Sequence, residues 1–139
     1  MPGRTKLEIV SPERLLLSRD VTMAVIPAAE GDIGVLPGHA PVLVTLRGGL
    51  IEIYEDAQVT DRLFVAGGFA EVTPDRCTVL ADEAVPVAEV SRAEATRRVA
   101  DAQADYDSAA KAGAAPSALD AAMARLQAAQ VMERVAEAA

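Results

Sequence analysis

The sequence predicts an α+β fold: a β-sandwich or flattened barrel of about ten short strands over residues 1–87, then an antiparallel pair of helices over residues 88–139. Two observations carry this. From Lys6 to Val87 apolar residues alternate with polar ones, the period of half-buried strands, and Gly, Pro and Asp clusters interrupt them about every 8–12 residues. From Ala88 onward that punctuation stops: Gly113 and Pro116 stand alone, and alanine dominates.

Leu7 and Ile9 mark the first strand, which Ser11-Pro12-Glu13 separates from a second at residues 14–18. Arg19-Asp20 offers a tight turn into a strand at residues 21–26, and Pro27, having no ladder donor, ends it. The run from Glu30 to Pro41, EGDIGVLPGHAP, packs Gly31, Gly34, Pro37, Gly38 and Pro41 around Ile33, Val35 and Leu36. Such a density of special backbone positions describes a stiff, shaped loop with a strand threaded through it. Strands at residues 42–46 and 50–54 follow, parted by Gly48-Gly49, and Glu55-Asp56-Ala57-Gln58 makes a hairpin turn. Residues 59–66 and 69–73 are parted by Gly67-Gly68, and Pro74-Asp75-Arg76 turns the chain into residues 77–81. Gly67-Gly68 reads as a bulge or bend, since no helix and no Gly-Lys-Ser/Thr follows to make a phosphate loop.

Ser91 with Glu94 has the form of a capping box, and Gly113 is a good residue to end the first helix near Lys111 or Ala112. Ser117 with Asp120, just after Pro116, reads as the second cap. Each helix is then about 20 residues and roughly 30 Å long, and the short loop folds them back on each other. Their apolar faces are thin: Val99 and Tyr106 on the first, Leu119, Met123, Leu126 and Met132 on the second. Alanine favours helix but buries little area, so the hairpin is expected to be loosely held and a candidate for movement.

A chain of 139 residues holds one domain, or one plus an appendage, and with 3% aromatics its core is aliphatic. A net charge of −8 with no basic cluster argues against nucleic acid and leaves basic protein surfaces as partners. Cys77, the single cysteine, excludes an internal disulfide and reads as a small buried hydrophobe. The start, MPGRTKLEIV, has no apolar signal segment, and no stretch approaches the roughly 20 apolar residues of a membrane span. Membrane association therefore goes through a partner.

His39 and Cys77 alone build no zinc site, and HExxH, paired CxxC, G-x-S-x-G and Walker patterns are missing. His39 reads as a histidine bonded to its loop backbone. Glu30 and Asp32, at i and i+2, share a strand face, and Asp82-Glu83 are neighbours; an acidic patch for a basic partner explains them better than acid–base catalysis. Arg92, Arg97, Arg98 and Arg125, interspersed with Asp101 and Asp105, read as a solvated helix face before a phosphate site. No enzyme reading follows from these residues.

At EGDIGVLPGHAPVLVTL the sequence resembles the epsilon subunit of bacterial F-type rotary ATP synthases, through Glu30, Gly31, Gly34, Pro37, Gly38, His39, Ala40 and Pro41. FVAGGFAEV at residues 64–72 and the strand at residues 77–82 match further stretches, with Cys77 where valine is more usual. The resemblance implies a ten-stranded sandwich at residues 1–87 and a two-helix domain at residues 88–139. It also implies a non-catalytic rotor in the central stalk, at the cytoplasmic face of the bacterial inner membrane. Such a subunit binds the gamma subunit, rests on the c-subunit ring, and couples proton-driven rotation to ATP synthesis by other subunits. The positions implied for the ring are Glu30, Gly31 and Asp32, and those for gamma are Ser11, His39 and Val44.

In some members of that family the hairpin opens toward the alpha and beta subunits of the catalytic head and blocks hydrolysis. Some bind regulatory ATP through Ile/Leu-Asp-x-x-Arg-Ala and further arginines. The corresponding AEVSRA keeps Arg92 and Ala93, but Glu89 replaces Asp and Ala88 the branched residue, so the implied nucleotide site of Glu89, Arg92, Ala93 and Arg125 is incomplete. No other cofactor is implied. The helix-two end, MERVAEAA, sets Arg134 against Glu133 and Glu137, which fits a weak inhibitor or a folded-down brace. Two readings from other classes stand beside this one: a free-standing β-sandwich adaptor with a helical docking hairpin, and a small hydrolase with an unrecognised carboxylate site. The rotor co-purifies with a membrane ATPase, the adaptor with a separate partner, and the hydrolase turns over by itself.

Overall fold

A computed structural model describes residues 3–138, and in it eight strands form where ten were expected. They are β1 (Thr5–Val10), β2 (Leu15–Val21), β3 (Met23–Ala28), β4 (Gly31–Val35), β5 (Val42–Glu55), β6 (Gln58–Val72), β7 (Arg76–Ala81) and β8 (Ala84–Pro86). A short 3-10 turn, Val87–Glu89, leads into α1 (Arg92–Lys111) and α2 (Pro116–Ala138). The α+β class and the order of sandwich then two helices are as expected; the strand count is not.

The difference lies at the two glycine pairs. Both sit inside long strands, because β5 and β6 stay paired across them, with Leu46 opposite Gly68 and Gly48 opposite Ala66. What changes there is the inward face. Val44 and Leu46 face the core before Gly48-Gly49, Ile51 and Ile53 after it; Leu63 and Val65 face it before Gly67-Gly68, Ala70 and Val72 after it. Since strand side chains alternate with period two, that one-residue switch bends the hairpin from one layer into the other. β7 pairs with residues 68–72 of β6 and β8 with residues 63–65, so one hydrogen-bonded ladder, β2-β1-β7-β6-β5-β3-β4 with β8 on β6, folds over itself into a sandwich. Among the described residues only the β1–β7 pairing is parallel.

Two expected strand ends also move. β2 runs through Arg19-Asp20 because β1 holds both in the ladder, Leu7 opposite Arg19 and Lys6 opposite Asp20. The corner falls at Thr22, whose hydroxyl donates to Tyr54 O (2.8 Å) and accepts from Asp56 N–H (2.9 Å). Pro27 lies within β3, where pairing with β5 skips from Val25 to Ala28; at this bulge its missing N–H costs no bond to β5. The β5–β6 turn is a two-residue one with Asp56 and Ala57 at φ +52° and +77°.

The core is aliphatic, built on Leu7, Ile9, Ile26, Ile51, Ile53, Val65 and Val79. Cys77 is fully buried among them, and burial pushes its thiol up to about 11, leaving no thiolate to react at neutral pH. Thr5 also points inward, and its hydroxyl has no hydrogen-bond partner among the described residues. An unpaired buried hydroxyl opposes folding, so Thr5→Val, nearly the same shape, should stabilise the chain by about 1 kcal/mol. The check is a higher urea midpoint at unchanged m-value.

Ser91 Oγ accepts from Glu94 N–H (3.2 Å), capping α1 as its spacing predicts. Gly113, at φ +67°, closes the helix with bonds from its own N–H to Ala110 O (3.2 Å) and from Ala114 N–H to Ala109 O (3.0 Å). α2 starts earlier than Ser117. Pro116 takes the first helical position, where a missing N–H is harmless, and Ala115 O accepts from Ala118 and Leu119.

Candidate interaction surfaces

β3 and β4 meet at a two-residue turn, Ala29-Glu30, with Ala28 opposite Gly31. Glu30 projects from the turn and is exposed. Asp32, on β4, is ion-paired with Arg47 of β5, which the register brings near because Ala28 stands opposite Leu46. The expected same-face acid pair is therefore not formed: Glu30 belongs to the turn, and Asp32 is held by a cation 15 residues away. The rest of the run is pinned down. Gly38, at φ +83°, donates to Pro74 O (2.6 Å), and His39 Nδ1 lies 2.7 Å from Ala40 O, a loop-bound histidine as read from the sequence.

The sandwich has two outer faces. On one, register aligns Thr45, Phe69, Leu80, Val10 and Leu15 in a row across β5, β6, β7, β1 and β2, with Leu43 beside it. The large members are bare: Leu43 is 70% exposed, Leu15 56%, Phe69 54% and Leu80 53%. Ser11 follows Val10 of this row along the chain and is half-buried, its N–H bonded to Arg14 O (3.0 Å). Val44 packs against the core, so on β5 its neighbours Leu43 and Thr45 face outward in its place. The apolar row is not visible in the sequence alone. Its signal, large apolar residues on the solvent parity of four strands, is hidden until the parity switch at the glycines is known.

The opposite outer face carries the helices. Phe64, buried, packs with Ala95, Ala128, Met132 and Ala136, rimmed by Leu50, Val85 and Val131. A Cβ on Gly48 would lie 2.6 Å from Ala128 Cα, so strand and helix backbones touch. Arg98 does not sit in a solvated face: it donates twice to Glu83 (2.6 and 2.7 Å), each side chain about a third exposed, and Glu83 raises the guanidinium further above its ordinary value. The seat is thus closer than the thin apolar faces implied, because small residues trade buried area for approach.

A groove of about 950 Å³ runs between hairpin and sandwich, lined by Arg47, Asp82, Arg98, Asp101, Asp105 and Arg125 among others. Of the positions implied for a nucleotide, Arg125 lines it, whereas Glu89 in the 3-10 turn and Arg92 and Ala93 at the start of α1 are exposed outside it. Of the four, Arg125 alone lines the groove. Among the described residues no group of three His, Cys, Asp or Glu side chains is placed to hold a metal ion, and no helix is long and apolar enough to cross a membrane.

Residues 4–87 match the family model described as the ATP synthase delta/epsilon chain, beta-sandwich domain. The chain is 62% identical to the ATP synthase epsilon chain of Granulibacter bethesdensis over 134 residues, covering 96% of this chain and 98% of the relative. It is 50% identical to the epsilon chain of Gluconacetobacter diazotrophicus, covering 90% and 87%. Among solved structures it is similar in fold to a chain of the Euglena gracilis mitochondrial ATP synthase, in an assembly of OSCP, F1 and c-ring, with TM-score 0.76, 23% identity and coverage of 96% and 82%.

Proposed function

The chain belongs to the ATP synthase delta/epsilon family, and we propose that its bare apolar face binds the gamma subunit while the β3–β4 tip rests on the c-subunit ring. It is a non-catalytic central-stalk subunit of an F-type ATP synthase; the bond chemistry belongs to other subunits. The observation that carries the gamma assignment is the row of Leu15, Phe69 and Leu80 with Leu43. Monomeric proteins rarely leave such a contiguous apolar patch to solvent, and the helices already cover the other face. Ser11, next to Val10 of that row, joins the interface, as does His39 of the Glu30–Pro41 run. At the tip, Glu30, Gly31 and Asp32 present acidic charge suited to basic loops of the ring, where complementarity fixes register across a polar contact.

On this reading the chain is peripheral to the membrane, held at the cytoplasmic face of a bacterial inner membrane through its partners. It turns with gamma and passes proton-driven rotation toward the catalytic head. The hairpin, seated on Phe64 and Gly48, is a brace; reaching the alpha and beta subunits requires it to leave that seat. Regulatory ATP gains no support from Glu89, Arg92, Ala93 and Arg125 in this arrangement.

The test is capture of the tagged chain from detergent-solubilised membranes, with partners identified by mass. Gamma and c subunits are expected to co-elute. Phe69→Asp, on the surface of a folded sandwich, should weaken gamma capture roughly tenfold or more. Asp32→Lys should retain gamma and lower proton-driven ATP synthesis. Capture of an unrelated partner would establish the adaptor instead, and undiminished gamma capture by Phe69→Asp would move the interface off this face.

A further inference from the structure

We propose that Arg47 couples the acidic tip to the hairpin seat: a basic partner that takes Asp32 frees Arg47 for the acids facing it across the groove, and this clamps the helices down. The partner half of this rests on the tip reading above; the Arg47 half rests on geometry within the chain.

Arg47 stands at a junction. Its Nη2 is bonded to Asp32, its Nη1 donates to Gly48 O (3.4 Å), and its side chain lies back over Gly49, where an added Cβ would meet Nη1 at 2.8 Å. Gly48, the next residue, is the point where β5 touches Ala128 of α2. Arg47 is also among the residues lining the groove, together with Asp82 of the sandwich and Asp101 and Asp105 of α1. Asp101 and Asp105 are one helical turn apart, and none of these three carboxylates has an ion-pair partner among the described residues.

The charges decide the sign. Arg125 and Arg134 also line the groove from α2; a pair with Asp101 or Asp105 would tie helix to helix and a pair with Asp82 would tie hairpin to sandwich, but none of these pairs forms among the described residues. Glu83 and Arg98 already satisfy each other. Asp82 on the sandwich shares the groove with Asp101 and Asp105, and like charges in one groove oppose closure. Arg47 is the sandwich-side cation that can offset this repulsion, and while Asp32 is free of a partner, Asp32 holds it at the rim. Removing the Asp32 charge, by a partner's lysine or by substitution, hands Arg47 to the groove.

Hydrogen exchange by mass spectrometry on the full-length chain, followed over residues 122–132 of α2, tests this. Asp32→Asn should slow exchange about two- to fivefold, the range of one exposed ion pair. The double variant Asp32→Asn/Arg47→Gln should return to the parental rate, and Arg62→Gln, which breaks the remote pair with Glu52, should leave it unchanged. Unaltered exchange in Asp32→Asn, or slowing that survives Arg47→Gln, overturns the coupling. Because no ring is present in this measurement, its failure is separate from a failure of the tip to bind one.

Discussion

Gly68→Ala is expected to lower stability by about 2–6 kcal/mol, a large share of the roughly 5–15 kcal/mol that holds a domain together. Gly68 sits at φ +119°, a conformation that costs a side-chain-bearing residue about 1–3 kcal/mol. A Cβ there would lie 2.1 Å from Leu80 O and 2.9 Å from Ala81 Cα. Both atoms are backbone of the paired strand β7, so no rotamer change relieves the clash; β7 must shift, at about 1–3 kcal/mol more. The position is where β6 crosses between layers, so the shift would propagate into both. Gly34→Ala is the control: its backbone is unstrained and its nearest new neighbour is Met23 Sδ at 3.8 Å. Urea unfolding of the two variants should separate their midpoints by more than about 1 M. Equal midpoints would mean that the crossing tolerates a side chain and that the glycines are not what folds the ladder over.

This hinge also marks how far the sequence could be read. The alternation, the tight turns at Glu55–Gln58 and Thr73–Arg76, the Ser91 cap, the Gly113 terminator and the burial of Cys77 depend on residues close in the chain, and they were legible. Gly67-Gly68 reads as a bulge or bend from its own residues, but whether one strand continues through each glycine pair depends on whether the partner strand continues, and nothing local records that. The same dependence hid Arg47 from Asp32 and Arg98 from Glu83, pairs 15 residues apart that exist only once the register and the seating of α1 are known. It also hid which face each apolar residue takes beyond a parity switch. Phe64 and Phe69, the two phenylalanines, lie on opposite outer faces, one covered and one bare, on either side of the Gly67-Gly68 bend within β6.

Phe64→Ala should therefore unseat the helices and spare the sandwich. Large-to-small changes at buried aromatics cost about 3–5 kcal/mol. Here the cost falls on one small cluster, since the partners of Phe64 include Ala95, Ala128, Met132 and Ala136 on the helices. What remains is the Arg98–Glu83 pair, about a third exposed and so worth about 1 kcal/mol or less, and a seam of alanines against Gly48. Neither replaces the lost burial. Val65→Ala, one residue on, truncates a side chain of opposite parity that belongs to the inner core. It should shift a single cooperative transition of the whole chain, whereas Phe64→Ala should split unfolding in two and speed tryptic cleavage after Arg97 and Arg125. If both variants move one common transition alike, helices and sandwich form a single cooperative unit, and the hairpin has no seat of its own to leave.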